Sequence, residues 1–166
     1  MIPLDENDIR GSFVNCSKGE ARRLATPRDL ADLPWADLDF LGWRDPGAPD
    51  RGHLVAQHRG ELVGIVLRAP QGPRRSFTRT TVCSICVTPH AGSGVSLLAA
   101  PRAGAAGRQG NTVGTYMCAD LACPLYVRGR KRTELVSRYE ESLTVEEQIS
   151  RMLGNLDGFL QQVLGA

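Results

Sequence analysis

Apolar residues repeat along the end of the chain at Val145, Ile149, Met152, Leu153, Leu156, Phe159, Leu160, Val163 and Leu164. They fall on one stripe with the helical period of about 3.6 residues. Thr144 followed by Glu147 is a capping box, so the pattern predicts a helix over residues 142–165 that turns its stripe to the core. Gly154 and Gly158 each cost about 1 kcal/mol relative to alanine, and they are expected to admit a close crossing against another element. A short helix is predicted over residues 5–10, capped by Asp5 and with Asp8 in its first turn. Phe13 to Asn15 reads as a strand running into a turn, and residues 20–24 as helical up to Pro27.

Between these ends the period changes. Residues 53–57 and 61–68 are strand-like and flank His58-Arg59-Gly60, which predicts a β-hairpin. His53 and His58 are then expected to be exposed strand or turn residues. Residues 26–50 hold four prolines and six aspartates, and Pro34 and Pro46 forbid a long helix there. That stretch is expected to lie extended, anchored on the core by Leu33, Trp35, Leu38, Phe40, Leu41 and Trp43. Residues 69–77 read as a loop, residues 78–82 as β-formers, and residues 95–99 and 112–117 as two more strands. The intervening residues 101–111 are small, basic and expected to be flexible.

At 166 residues with 42% hydrophobic and 23% charged side chains, the chain can build a real core, which excludes simple disorder. No run of about 18 apolar residues is present, so no membrane span is expected. The acidic start, Met1 to Glu6, lacks the basic and apolar regions of a signal peptide, which predicts a cytoplasmic protein. The net charge of +2 hides an asymmetry. Residues 68–138 carry eleven basic and two acidic side chains, whereas the segments on either side are net acidic. Such a middle either meets an anionic partner, RNA or an acidic protein face, or is neutralised by the acidic ends.

Four of the five cysteines form two local pairs, Cys83-Ser84-Ile85-Cys86 and Cys118 with Cys123. In a cytoplasmic chain such pairs indicate metal or reactive thiols in place of disulfides. Soft thiolates in two pairs suit one tetrahedral zinc. The first pair follows a strand. The second sits where a strand yields to Asp120-Leu121-Ala122, read as the first turn of a helix. Knuckle, hairpin and ligand-bearing helix are the order of a treble clef. Three alternatives stand beside this reading. A redox C-x-x-C would want a thioredoxin-like βαβ unit, where hairpins are predicted. His90 offers a replacement for one cysteine. A catalytic zinc would need an open position, and the deaminase signature H-x-E with P-C-x-x-C is absent. Cys16 is left over and reads as a small buried apolar residue. No phosphate-binding loop G-x-x-x-x-G-K-[ST] and no G-x-S-x-G elbow occurs, so the chain is expected not to be an enzyme and to take no small-molecule substrate.

With Cys83-Ser84-Ile85-Cys86, the run Gly110 to Cys118, Cys123, and the N-terminal Phe13-Val14-Asn15 and Ser17-Lys18, residues 5–164 resemble the elongation factor G-binding proteins. The best-known members confer fusidic acid resistance. The resemblance is to their C-terminal α/β domain with its treble-clef zinc finger, without the N-terminal helical bundle. It implies one structural Zn2+ on Cys83, Cys86, Cys118 and Cys123, and elongation factor G as the partner, with release of that factor from the ribosome as the outcome. An RNA- or ribosome-binding zinc module is the alternative.

The fold expected is α+β: an antiparallel sheet, a treble-clef finger and a C-terminal amphipathic helix. It divides into an N-terminal α/β region over residues 1–75, the zinc-finger region over residues 76–130 and the helix over residues 142–165. The partner face is expected to use Arg102, Arg108 and Gln109 of the small basic loop. Tyr126, Arg128, Arg130 and Lys131 after the second cysteine pair would complete it.

Overall fold

Strands β1 (Phe40–Asp45), β2 (Ala48–His58) and β3 (Glu61–Arg68) form an antiparallel meander. Their register places Phe40, Gly42, Leu54, Gly52, Ile65 and Leu67 on one face and Leu41, Trp43, His53, Val55 and Val66 on the other. Both faces are covered, so β2 is buried without interruption from Gly52 to Ala56. The computed structural model describes residues 1–69, 80–135 and 141–165. The sheet continues through β6 (Val95–Pro101) and β7 (Thr112–Cys118) in the order β1-β2-β3-β6-β7. Strands β4 (Thr81–Val82) and β5 (Pro89–His90) make a separate small ribbon.

Two cores result. On one face Leu4, Ile9, Leu24, Trp35 and Leu38 pack on Leu41, Trp43 and Val55. Leu4 precedes α1 (Glu6–Gly11), which supplies Ile9; Leu24 ends α2 (Lys18–Arg23), and Trp35 and Leu38 lie in the stretch that follows. Asp5 with Asp8, and Ser17 with Glu20, close a capping box on each of these helices. Both indoles donate to backbone carbonyls, Trp35 to Leu30 at 2.7 Å and Trp43 to Ala25 at 2.8 Å, so the tryptophans anchor this segment. On the other face Phe40, Leu54, Ile65, Leu98 and Met117 meet the cysteine cluster and α5 (Val145–Leu164). Helix α5 buries Met152, Leu156, Phe159, Leu160 and Val163. Its Thr144–Glu147 box is formed, and Gly165 at φ 77° ends it.

Several expectations are corrected. Residues 40–45 are a strand, because Pro46 sits in the turn to β2 and leaves the β1 ladder intact. Phe13 makes a single parallel bridge to Gly64 with no continuing strand. Residues 101–111 contain a one-turn helix, α3 (Gly104–Arg108). A Cβ on Gly107 would lie 1.7 Å from the Arg102 carbonyl oxygen, so this connection is tightly folded. Gly154 and Gly158 admit no close crossing; a Cβ at either would meet nothing within 4 Å. His53 and His58 are buried, at 3% and 6% exposure. His53 lies against Trp43 with ring centres 5.1 Å apart, and burial pushes its pKa down to about 4. His58 Nδ1 lies 2.6 Å from Asp157 Oδ1 on α5. Cys16 is half-buried, and burial raises its thiol pKa. The loop read over residues 69–77 lies, apart from Ala69, outside the described residues, as do residues 78 and 79 of the predicted β-formers. No described helix is long and apolar enough to cross a membrane.

Candidate metal centre

Strand β4 delivers Cys83 and β5 returns antiparallel to it, with Thr81 opposite His90. The tight turn between them closes through Val87 N–H to the Cys83 carbonyl at 2.9 Å. The β6–β7 hairpin then delivers Cys118 as its last residue. The chain turns at Asp120, whose Oδ1 accepts from Ala122 N–H at 3.1 Å, and at Leu121, with φ 60°. Cys123 opens α4 (Cys123–Val127), where Pro124 supplies a fixed φ in the first turn. Residues 120–122 are therefore a turn preceding the helix and not its first turn. The order of knuckle, hairpin and ligand-bearing helix is that of a treble clef.

The four sulfurs lie within 4.8 Å of one another and all four cysteines are buried. Cys83 and Cys123 Sγ are 3.7 Å apart, and Cys86 and Cys118 Sγ are 3.5 Å apart. A tetrahedron of Zn–S bonds of about 2.3 Å sets its sulfurs about 3.8 Å apart. The site therefore has the size and donor softness that one zinc requires. Four thiolates complete a tetrahedral shell, so the metal they hold is structural and supplies folding energy. Without a cation the thiols share protons unequally: hydrogen bonds from Cys118, then Cys123, hold Cys83 low, while the Cys118 neighbour pushes Cys123 far up. A divalent cation removes that conflict. Around the sulfurs, Ile85 and Cys86 N–H groups point at Cys83 Sγ at 3.4 Å, and Thr88 Oγ1 lies 3.2 Å from Cys86 Sγ. His90 stands outside the four-sulfur cluster.

Val87 and Leu121 both adopt left-handed φ, 62° and 60°. For Leu121 the conformation seats a fully buried side chain on the sheet. Val87 is β-branched, the residue type least suited to this region, and its side chain is only half-buried. Asparagine tolerates the region far better. Val87→Asn is expected to raise stability by roughly 1 kcal/mol in saturating zinc. Chemical denaturation would check it, and an unchanged or lowered midpoint would contradict the strain.

The seven residues expected to form a partner face fall into two groups. Arg102 precedes α3, Arg108 ends it and Gln109 caps it, at the Thr112 end of β7 and next to the end of α5, where Ala103 N–H donates to Val163 O at 2.8 Å. Tyr126, Arg128, Arg130 and Lys131 follow the Cys118 end. A seven-residue strand separates them, about 20 Å of chain. The second group is also ion-paired. Arg128 meets both oxygens of Asp39, at 2.5 and 2.9 Å, and this pairing raises its already high pKa. Arg130 lies 3.0 Å from Asp37, and Lys131 Nζ 2.5 Å from Asp120. Tyr126 is half-buried and donates to Asp120 at 2.9 Å. Burial acts to raise the Asp120 pKa, but Lys131, the Ala122 N–H and Tyr126 hold the carboxyl below its usual range. The acidic segment before β1 thus neutralises part of the basic middle. Because Arg128 and Asp39 are both largely buried, reversing the charge at Arg128 would break the fold and is not a clean test of binding. Arg102 and Arg108 form no ion pair among the described residues.

A family model described as FBP C-terminal treble-clef zinc-finger matches residues 8–163. No curated protein and no solved structure matches the chain.

Proposed function

Because the chain belongs to the FBP C-terminal treble-clef zinc-finger family, we propose that it is a non-catalytic, cytoplasmic adaptor that binds elongation factor G and promotes its release from the ribosome. The observation that carries the reading is the four-cysteine cluster, buried and of zinc dimensions, in the knuckle–hairpin–helix order. Its closed donor set gives the metal a folding role and leaves the surface of the finger as the functional part. The cysteine motifs that resemble the elongation factor G-binding proteins supply the partner. Ion pairing of Arg128, Arg130 and Lys131 favours a protein partner over the RNA alternative. A phosphate would have to displace Asp39, Asp37 or Asp120 to reach those cations.

Calorimetric titration of the zinc-loaded protein with elongation factor G at two salt concentrations tests the reading. The expected result is saturable one-to-one binding with a shallow salt dependence. Arg108→Glu and Arg130→Glu, measured separately, report which end of the β6–β7 hairpin faces the partner. One of them should weaken binding several-fold while leaving the melting temperature unchanged. Failure of the folded, zinc-loaded protein to bind overturns the proposal. Binding to ribosomal RNA with a steep salt slope would replace it by the RNA reading.

A further inference from the structure

His90 is 4% exposed, and among the described residues its ring's hydrogen-bond contact is the Cys118 sulfur, with Nε2 3.2 Å from Sγ. Several elements hold the ring there. The β4–β5 pairing fixes its backbone opposite Thr81. Gly94 gives it room: a Cβ at that position would sit 2.6 Å from His90 Cβ and 2.7 Å from Nδ1. Gly94 also accepts from Ala119 N–H at 2.9 Å, which ties the floor under the ring to the residue after Cys118. On another side Tyr126 meets the imidazole edge-on, with centres 4.8 Å apart and planes at 81°.

Four thiolates on one divalent cation leave the centre with excess negative charge, and buried charge needs donors around it. Cys83 receives backbone N–H groups from Ile85 and Cys86. Cys118 has His90. A metal-bound thiolate can only accept a hydrogen bond, so a 3.2 Å contact requires the proton on Nε2. We infer that His90 is a positioning residue of the metal centre: its Nε2–H donates to the zinc-bound Cys118 thiolate, orients that ligand and draws off part of its charge. The imidazole is thereby assigned to the shell around the ligands and not to the ligand set. Loss of the donor leaves the Cys118 thiolate more electron-rich and readier to meet a proton, an electrophile or an oxidant.

Two measurements on the whole, metal-loaded chain test this. In the wild-type protein loaded with spin-active cadmium, NMR should find a slowly exchanging imidazole Hε2 coupled to the metal through the Nε2–H···Sγ bond. A folded cadmium protein without that proton overturns the inference. The second compares His90→Phe, which keeps a ring against Gly94 and Tyr126 but has no donor, with His90→Gln, which retains an N–H. Zinc transfer to a chromophoric chelator should be at least about tenfold faster in H90F, with H90Q restoring most of the difference. In the cobalt-substituted proteins the thiolate-to-metal absorption should move to lower energy in H90F and keep four-thiolate intensity in both variants. Iodoacetamide should label Cys118 faster in H90F than in the wild-type protein. Wild-type transfer rates and an unmoved band in H90F overturn the assignment, as does a wild-type cobalt spectrum of three thiolates and one imidazole. Should H90F fail to fold, the NMR measurement on the wild-type protein decides.

Discussion

Stripping the metal with excess chelator is expected to unfold the finger and the sheet face it packs on. The four cysteines are not an appendage: Cys83, Cys86, Cys118 and Cys123 lie in one continuous core with Phe40, Ile65, Met117, Leu156 and Leu160. Structural zinc contributes apparent binding energies of about 10–16 kcal/mol near neutral pH. Whole-domain stabilities are about 5–15 kcal/mol, so the metal's share rivals the total. The loss should spread across the sheet, because Leu54 faces the finger core while its neighbour Val55 faces the tryptophan core. Far-ultraviolet circular dichroism reports the first core and tryptophan fluorescence the second, through Trp35 and Trp43. Cys83→Ser should reproduce the effect in zinc-containing buffer. A chelated protein whose spectrum and melting curve match the zinc form would refute a structural metal.

The next largest effect is expected from the smallest substitution. Gly42 lies on β1 directly beneath the turn between the last two ligands. A Cβ there would sit 2.6 Å from both the Cβ and the carbonyl oxygen of Leu121. Gly52 on β2 gives the same side chain its second clearance, with Leu121 Cδ1 at 2.9 Å. Leu121 is fully buried and held at φ 60°, so the obstructed atom is backbone and cannot rotate away. Gly42→Ala must lift the Cys118–Cys123 turn off the sheet. Its cost is expected near 3 kcal/mol, the upper end of overpacking effects, together with faster zinc loss. Gly154→Ala is the control. Its Cβ enters open space on α5, and helix propensity gives it a gain of up to about 1 kcal/mol. Denaturant titrations in saturating zinc compare the two. Equal midpoints for Gly42→Ala and wild type would mean that the turn does not rest on β1.

The amino-acid order alone makes several parts legible. The two cysteine pairs, the β2–β3 hairpin, the β6–β7 strands and the capped C-terminal helix are encoded within windows of a few residues. A capping box spans four residues, a knuckle four, and a helical stripe repeats each turn, so each is a local fact. Strand β1 escaped because its alternation is broken by glycine and flanked by proline and aspartate. It becomes a strand only because β2 offers it a ladder. The deep seats of His53 and His58 escaped for a related reason. Polar-looking positions on a central strand are buried when elements distant in sequence cover both faces.

The candidate site divides in the same way. Ligand identity follows from spacing, because each pair meets the metal from one turn. The surroundings of the ligands depend on the packed fold: His90 reaches Cys118 across 28 positions, and Arg128 reaches Asp39 across 89. Sequence placed the basic residues in one stretch; the length of the hairpin separated them, the acidic segment before β1 paired Arg128 and Arg130, and Asp120 paired Lys131. What the sequence determined by itself is the metal, its four ligands and the elements that carry them, since those rest on short-range chemistry. What only the tertiary structure decided is which groups surround the metal and which charges remain for a partner, because burial and ion pairing are properties of surfaces brought together from far along the chain.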